Sequence, residues 1–162
     1  MKLSLAISAP SPLWRKLPRA RTMARETLAA CVAESGCEAR DGAEVSLLLT
    51  GDAELQALNA RWRGQMKPTN VLSFPAAPAD RLADAPALGD IALAFETLAR
   101  EAEASGVPLA DHYRHLVTHG FLHLIGYDHE TDEEAERMEA LEKRILARLG
   151  VADPYADGAA TE

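Results

Sequence analysis

The segment His119-Gly-Phe-Leu-His123-Leu-Ile-Gly126-Tyr-Asp-His129 constrains this chain more than any other stretch. His119 and His123 are four apart, so on a helix they stand one above the other on a single face. Gly126 supplies the left-handed conformation that ends a helix. The chain can then turn back and present His129 to the same point. Three imidazoles suit zinc, and three protein ligands leave the fourth tetrahedral position to water, the open arrangement of a catalytic site. Iron, nickel and copper also accept imidazole. Histidine is only 5 of 162 residues, so two more at set offsets arise by chance about once in a thousand.

The rest of the chain must build a frame for that helix. Residues 2–8 alternate Leu3, Leu5 and Ile7 with small residues, as a half-buried strand does. Three prolines (Pro10, Pro12, Pro18) precede a helix expected from about Arg19 to Ser35, stopped at Gly36. Residues 44–50 read as a buried strand. Asp52 is a good N-cap for a helix reaching Asn59 or Trp62. Strands at 71–74 and 88–95 flank an Ala/Pro-rich surface loop at 75–87. Helices follow at about 96–105, 108–125 and 131–148, the last opened by a Thr131/Glu134 capping box. The expected class is α+β: one four-stranded mixed sheet covered by about five helices, with the zinc site on a late helix. Residues 1–151 form one domain in this reading, and 152–162 a flexible C-terminal tail.

Composition narrows the setting. No apolar run reaches the ~20 residues of a membrane helix, and the N-terminus alternates too regularly for a signal peptide. A cytoplasmic location is therefore expected. Cys31 and Cys37 are spaced too widely for a CxxC motif and read as reduced thiols. The net charge is −8, but it is uneven: residues 1–81 carry +3 and residues 82–162 carry −11. Basic residues cluster at Arg15, Lys16, Arg19, Arg21 and Arg25, and again at Arg61, Arg63 and Lys67. Either cluster is a solvated surface or a local positive field able to hold a phosphate chain.

The spacing H-x-x-x-H-x-x-G-x-x-H is that of the metzincin proteases, in which a glutamate base follows the first histidine. Here that position is Gly120, so the site keeps the metal and loses the usual proteolytic base. His112 and His115 share the helical stripe of His119 and His123. His115 could contact substrate, shuttle a proton or sit as polar core. Asp128 could orient a ligand imidazole from behind or hold the turn.

Together with Leu58-Asn-Ala-Arg-Trp-Arg63-Gly64, Lys67-Pro-Thr-Asn-Val-Leu-Ser-Phe-Pro75, Leu88-Gly-Asp-Ile91 and Asp153-Pro-Tyr155, the histidine segment resembles the signature of the YbeY family of bacterial endoribonucleases. The resemblance runs from about residue 44 to 156. It implies a metal-dependent hydrolase preferring single-stranded RNA. It also implies action on the 3′ end of small-subunit (16S) ribosomal RNA and in ribosome quality control. Partners it implies are the small ribosomal subunit, a ribosomal protein and a ribosome-associated GTPase. In the family the three histidines hold one zinc, and the arginine matching Arg63 is functionally important.

Phosphodiester hydrolysis builds charge on phosphate oxygens. Zinc can bind one of them or lower the pKa of a water towards ~7. Arg63, a planar and permanently charged fork, is expected across the cleft as a catalytic group, with His115 as a second. Arg61 and Lys67 are expected to position RNA. Thr69, Asn70 and Ser73 could bond phosphate or sugar, or serve the turn and strand. Asp90 could orient a histidine or close a turn. Two other functions compete: a ribosome assembly factor whose zinc only braces the fold, and a metalloprotease, which Gly120 opposes.

Overall fold

The computed structural model describes residues 3–64 and 69–156, with the Arg63 side chain also left aside. Four strands form one mixed sheet: β1 (Ser4–Ser8), β2 (Glu44–Thr50), β3 (Val71–Pro75) and β4 (Ala87–Ala94). Their order is β1-β2-β4-β3. β1, β2 and β4 run parallel, and β3 pairs antiparallel to β4 at the edge. β2 and β4 occupy the middle, which is why Val45, Leu47, Leu49, Ile91 and Leu93 are all buried. Five α-helices accompany the sheet: α1 (Ala20–Ser35), α2 (Asp52–Arg63), α3 (Phe95–Ser105), α4 (Leu109–Leu124) and α5 (Asp132–Arg148). The α+β class and the mixed four-stranded sheet agree with the sequence expectation.

The large core lies between the sheet and α1, α4 and α5, where Leu47, Ile91, Tyr113, Phe121, Leu122, Met138 and Ile145 pack together. A smaller cluster of Leu55, Leu72, Ala92 and Ala94 seats α2 on the opposite face. α4 is sandwiched, with Tyr113, Val117, Phe121 and Leu122 inaccessible to solvent. Its position is pinned at one end by Tyr113, whose hydroxyl donates to the Ala20 carbonyl at 2.8 Å.

Several local outcomes differ from the sequence reading. Asp52 does not cap its own helix; the N-cap of α2 is Gly51. Instead the Asp52 carboxylate accepts from the Thr97 backbone N–H at 3.0 Å, at the start of α3. Glu96 returns the favour, accepting from the Asp52 N–H at 2.8 Å. Each helix N-terminus is thus satisfied by an acid from the other, and the two dipoles share both charges. The proline-rich stretch after β1 is also structured. Residues Pro12–Lys16 form a 3-10 turn that buries Trp14 against Phe95 and Tyr113, ring centroids 5.1 and 5.6 Å away. The Trp14 indole N–H donates to Thr50 O at 2.9 Å. The 75–87 loop holds a second 3-10 turn at Ala79–Asp84.

Candidate metal centre

α4 presents His119 and His123 on its outer side because its other faces are committed to packing. Gly120 marks where α4 meets the sheet. A Cβ there would lie 2.8 Å from Ile91 Cγ2 and 3.3 Å from both Ser73 Oγ and Val71 Cγ2. Ser73 Oγ donates to the Gly120 carbonyl at 2.9 Å. The helix therefore approaches the sheet as closely as it can, and a glutamate here would enter packed core, not the metal cluster. The absent protease base follows from this packing.

α4 ends where the sequence requires. Tyr127 N–H reaches back to Leu122 O at 2.9 Å and Gly126 N–H to His123 O at 3.2 Å. Gly126 has φ +108°, a conformation that L side chains rarely adopt. A Cβ there would also stand 2.6 Å from Ala79 Cβ, so the 75–87 loop abuts this turn. The chain then doubles back, and the Asp128 carboxylate accepts from the His129 backbone N–H at 2.8 Å. That bond serves the turn. Asp128 is 3.9 Å from the His129 ring nitrogen, too far for a hydrogen bond. The expected Thr131/Glu134 capping box then opens α5 immediately beyond the site.

The three histidines meet. One ring nitrogen from each lies within 4.8 Å of the others. His119 and His123 have ring centroids 4.6 Å apart, and His129 lies 5.6 and 5.2 Å from them. His119 and His123 are partly buried, whereas the His129 side chain is 55% exposed, so the cluster opens to solvent on that side.

The partners of these rings test whether the cluster fits a metal. His119 Nδ1 lies 2.6 Å from Glu142 Oε2, and His123 Nδ1 lies 2.9 Å from Tyr127 O. A carboxylate and a carbonyl only accept, so each Nδ1 carries the proton and each Nε2 turns its lone pair inward. Those two Nε2 atoms are 3.1 Å apart. Two lone pairs at that distance need a positive charge between them. Tetrahedral zinc with bonds of ~2.0–2.1 Å sets nitrogens about 3.3 Å apart. Burial, with the neighbouring His119 and His129 charges, holds His123 below the ordinary imidazole range of 6.5, so it stays in the neutral form that binds metal. The donor set fits a zinc-type ion.

Glu142 is the site residue that sequence reasoning missed. It is fully buried on α5 among Met138, Leu141 and Ile145. Burial pushes its carboxyl up, but hydrogen bonds and charge from His115 and His119 outweigh that and hold it at about 2. The available signal was a lone acid inside an apolar helical stripe. Tyr155, quoted in the sequence only within Asp153-Pro-Tyr155, was assigned no role there. Its hydroxyl donates to Glu142 Oε1 and lies 3.3 Å from His115 Nε2. The start of the segment expected to fray is therefore tied to the site, while residues 157–162 lie outside the described part. His115 does not join the three-histidine cluster; its ring faces Tyr155 and Glu142, 3.5 Å from the latter.

The remaining expected residues divide clearly. His112 bonds Glu101 at 2.8 Å, and Asn70 donates to the same carboxylate at 2.9 Å. Burial pushes the Glu101 carboxyl up, but the bonds from His112 and Asn70 outweigh it and leave it below the ordinary carboxylate range. Ser73 is buried against Gly120, and Thr69 Oγ1 lies 3.5 Å from Val71 O, so those two side chains serve the strand, while Asn70 ties the turn to α3. Asp90 is exposed on β4 and shares the sheet face of Ala92, opposite the Ile91 face that Gly120 touches, so it does not reach the histidines. Its neighbour Gly89 has φ +142°, with Phe74 O 2.3 Å from where a Cβ would stand. That explains a glycine in Leu88-Gly-Asp-Ile91. Arg61 is exposed at the end of α2. The Arg63 side chain and all of Lys67 fall outside the described residues. Both cysteines are free and buried, and burial pushes Cys31 up to about 12, which leaves it an inert thiol.

Fold and site together define a small α+β protein carrying an open three-histidine centre of the kind used for metal-assisted hydrolysis. The family described as Endoribonuclease YbeY matches residues 14–150. Endoribonuclease YbeY of Bradyrhizobium diazoefficiens is 53% identical over 148 residues, covering 89% of this chain and 80% of its own. That of Methylocella silvestris is 46% identical over 155 residues, covering 96% and 87%. The solution structure of a Thermotoga maritima protein shares the fold, with a TM-score of 0.55 at 23% identity, covering 90% of this chain and 91% of that one. The chain belongs to the YbeY endoribonuclease family.

Proposed function

We propose that this chain is a zinc-dependent endoribonuclease that prefers single-stranded RNA and matures the 3′ end of small-subunit ribosomal RNA. One observation carries the chemistry: the His119 and His123 lone pairs converge at 3.1 Å beside an exposed His129. Family membership supplies the substrate class, since the relatives are named endoribonucleases. His119, His123 and His129 hold the metal, which when bound supplies Lewis acidity towards phosphate and an acidified water.

The chain's own groups do the rest. Glu142 fixes the His119 tautomer and, through its charge, makes that imidazole a better donor. His115 and Tyr155 hold Glu142 in place, so His115 acts from behind the ligands and not on substrate. Arg63 stabilises the charge that develops on the phosphate oxygens, as a planar fork able to bond two of them at once. Arg61 and Lys67 hold the flanking phosphates. The small ribosomal subunit, a ribosomal protein and a ribosome-associated GTPase are its partners, and it works in ribosome quality control in the cytoplasm. Among the described residues no helix is long and apolar enough to cross a membrane. A proteolytic reading has little support, because the position after His119 is packed against Ile91.

The test measures single-stranded RNA cleavage and zinc content for Arg63→Ala. Cleavage should fall at least a hundredfold with zinc retained. Normal cleavage rejects the role of Arg63, and lost zinc shows that the residue belongs to the metal site instead.

A further inference from the structure

The basic cluster between Arg15 and Arg25 is not used by the site described above. Glu26 is the first acidic residue of the chain. Before it, Arg15, Lys16, Arg19, Arg21 and Arg25 crowd into the 3-10 turn and the first turns of α1, and all five are exposed. Several cations elsewhere are matched to acids: Arg100 to Asp52 at 2.8 Å, Arg114 to Glu26 at 3.2 Å, Arg148 to Glu34 at 2.7 Å and Lys143 to Asp153 at 3.8 Å. Among the described residues, none of the five has a carboxylate within such a distance. Arg21 alone is tethered, to the Ile7 carbonyl at 3.2 Å.

The cluster has a shape as well as a charge. Arg15 and Arg21 line a cleft of about 590 Å³ with Pro10, Ser11, Pro18 and Leu49, where β1 and β2 end against the start of α1. No acid stands in the first turn of α1, so the helix dipole adds to the local positive potential. Crowding like charges costs stability in a free protein, and the net charge of −8 gives no relief, because screening limits what acts here to groups within ~8–10 Å.

We propose that this surface is a second RNA-backbone contact, which grips phosphates outside the nucleotides being cleaved. The proposal rests on the endoribonuclease reading for its ligand. Four of the five cations are arginines, whose planar forks match phosphate oxygens, and a repeated row of cations fits a repeated row of phosphates. A bilayer is a poorer match. Among the large apolar side chains beside the cations, Trp14 and Leu17 are buried and Leu13 packs against the core, so they offer little anchor to a membrane interface.

The experiment compares the zinc-loaded chain with an Arg15→Ala/Lys16→Ala/Arg19→Ala variant, which spares the tethered Arg21. KM and kcat are measured on a single-stranded RNA of about 20 nucleotides and on one of about four. Binding of the longer RNA is followed by anisotropy across a salt series. For the long RNA, KM should rise at least tenfold with kcat unchanged, and the log–log salt slope should lose about 2, at ~0.7 per phosphate contact. For the short RNA both constants should stay the same. An unchanged KM on the long RNA overturns the proposal. Equal losses on both lengths also overturn it, because the cations then belong to the cleavage site. So does a variant that loses phosphatidylserine-vesicle binding and keeps its affinity for RNA. A wild-type chain that binds the long RNA through these residues and cleaves nothing leaves this surface standing and sinks the nuclease reading alone.

Discussion

Replacing Glu142 by glutamine isolates what the buried carboxylate does. The side chain is 0% exposed and sits 2.6 Å from His119 Nδ1. Glutamine keeps the volume and an acceptor oxygen but removes the charge, and its amide must now face Tyr155 and His115. Two effects follow. The metal-free protein loses stability, because a carboxyl held at about 2 against an ordinary 4.5 is worth about 3 kcal/mol to the folded state. The sign follows from a depressed folded-state pKa. The contribution is fully present above pH 4.5 and disappears as pH falls towards about 2. The new amide bonds return part of it, so the expected net loss near neutrality is about 1–3 kcal/mol. The second effect is on the metal. Zinc affinity should fall about 10–100-fold, the usual consequence of losing the acceptor behind a ligand histidine. Urea denaturation in chelator reads the first, and competition against a calibrated zinc chelator reads the second. Wild-type zinc affinity in a folded Glu142→Gln protein refutes the claim that this carboxylate sets up His119.

Tyr155→Phe removes one bond to the same carboxylate, so zinc affinity should drop severalfold with little change in melting temperature; an unaltered affinity means that the C-terminal segment only packs. Gly120→Ala pushes a methyl to 2.8 Å from Ile91 Cγ2 and should cost about 1–3 kcal/mol in urea, whereas a neutral result contradicts the close approach of α4 to the sheet. Asp52→Asn should cost about 1 kcal/mol. Burial pushes Asp52 up, but Arg100 and Thr97 outweigh it and leave its carboxyl below the usual 3.8. Its contribution is therefore present above that value and lost as pH falls through the lower folded one, so the variant should show a shallower acid limb in a pH–stability curve.

The sequence carried the three-histidine cluster because its geometry is local. His119 and His123 are set by helical spacing, and His129 by a glycine turn only three residues beyond Gly126. The capping box at Thr131 is legible for the same reason. Glu142 and Tyr155 were hidden, because their meeting with His119 depends on how α5 and the C-terminal segment pack on α4, which no spacing encodes. Asp52 misled for a related reason: it lies where an N-cap belongs, yet its carboxylate is claimed by a different helix. The strand order β1-β2-β4-β3 was also out of reach, since alternation shows that a strand is half buried but not which strand lies beside it. Gly120 stands in the sequence where the protease base would be, but only the sheet behind it shows how closely the chain packs there.

The central claim is that three imidazoles hold one catalytic metal ion. Its most direct test is zinc content and single-stranded RNA cleavage measured on the same preparations of wild type and of His119→Ala, His123→Ala and His129→Ala. The account predicts about one zinc per wild-type chain, loss of bound metal and of cleavage together in each variant, and no cleavage by metal-stripped wild type until zinc is restored. Full cleavage by any variant that has lost its metal would contradict it.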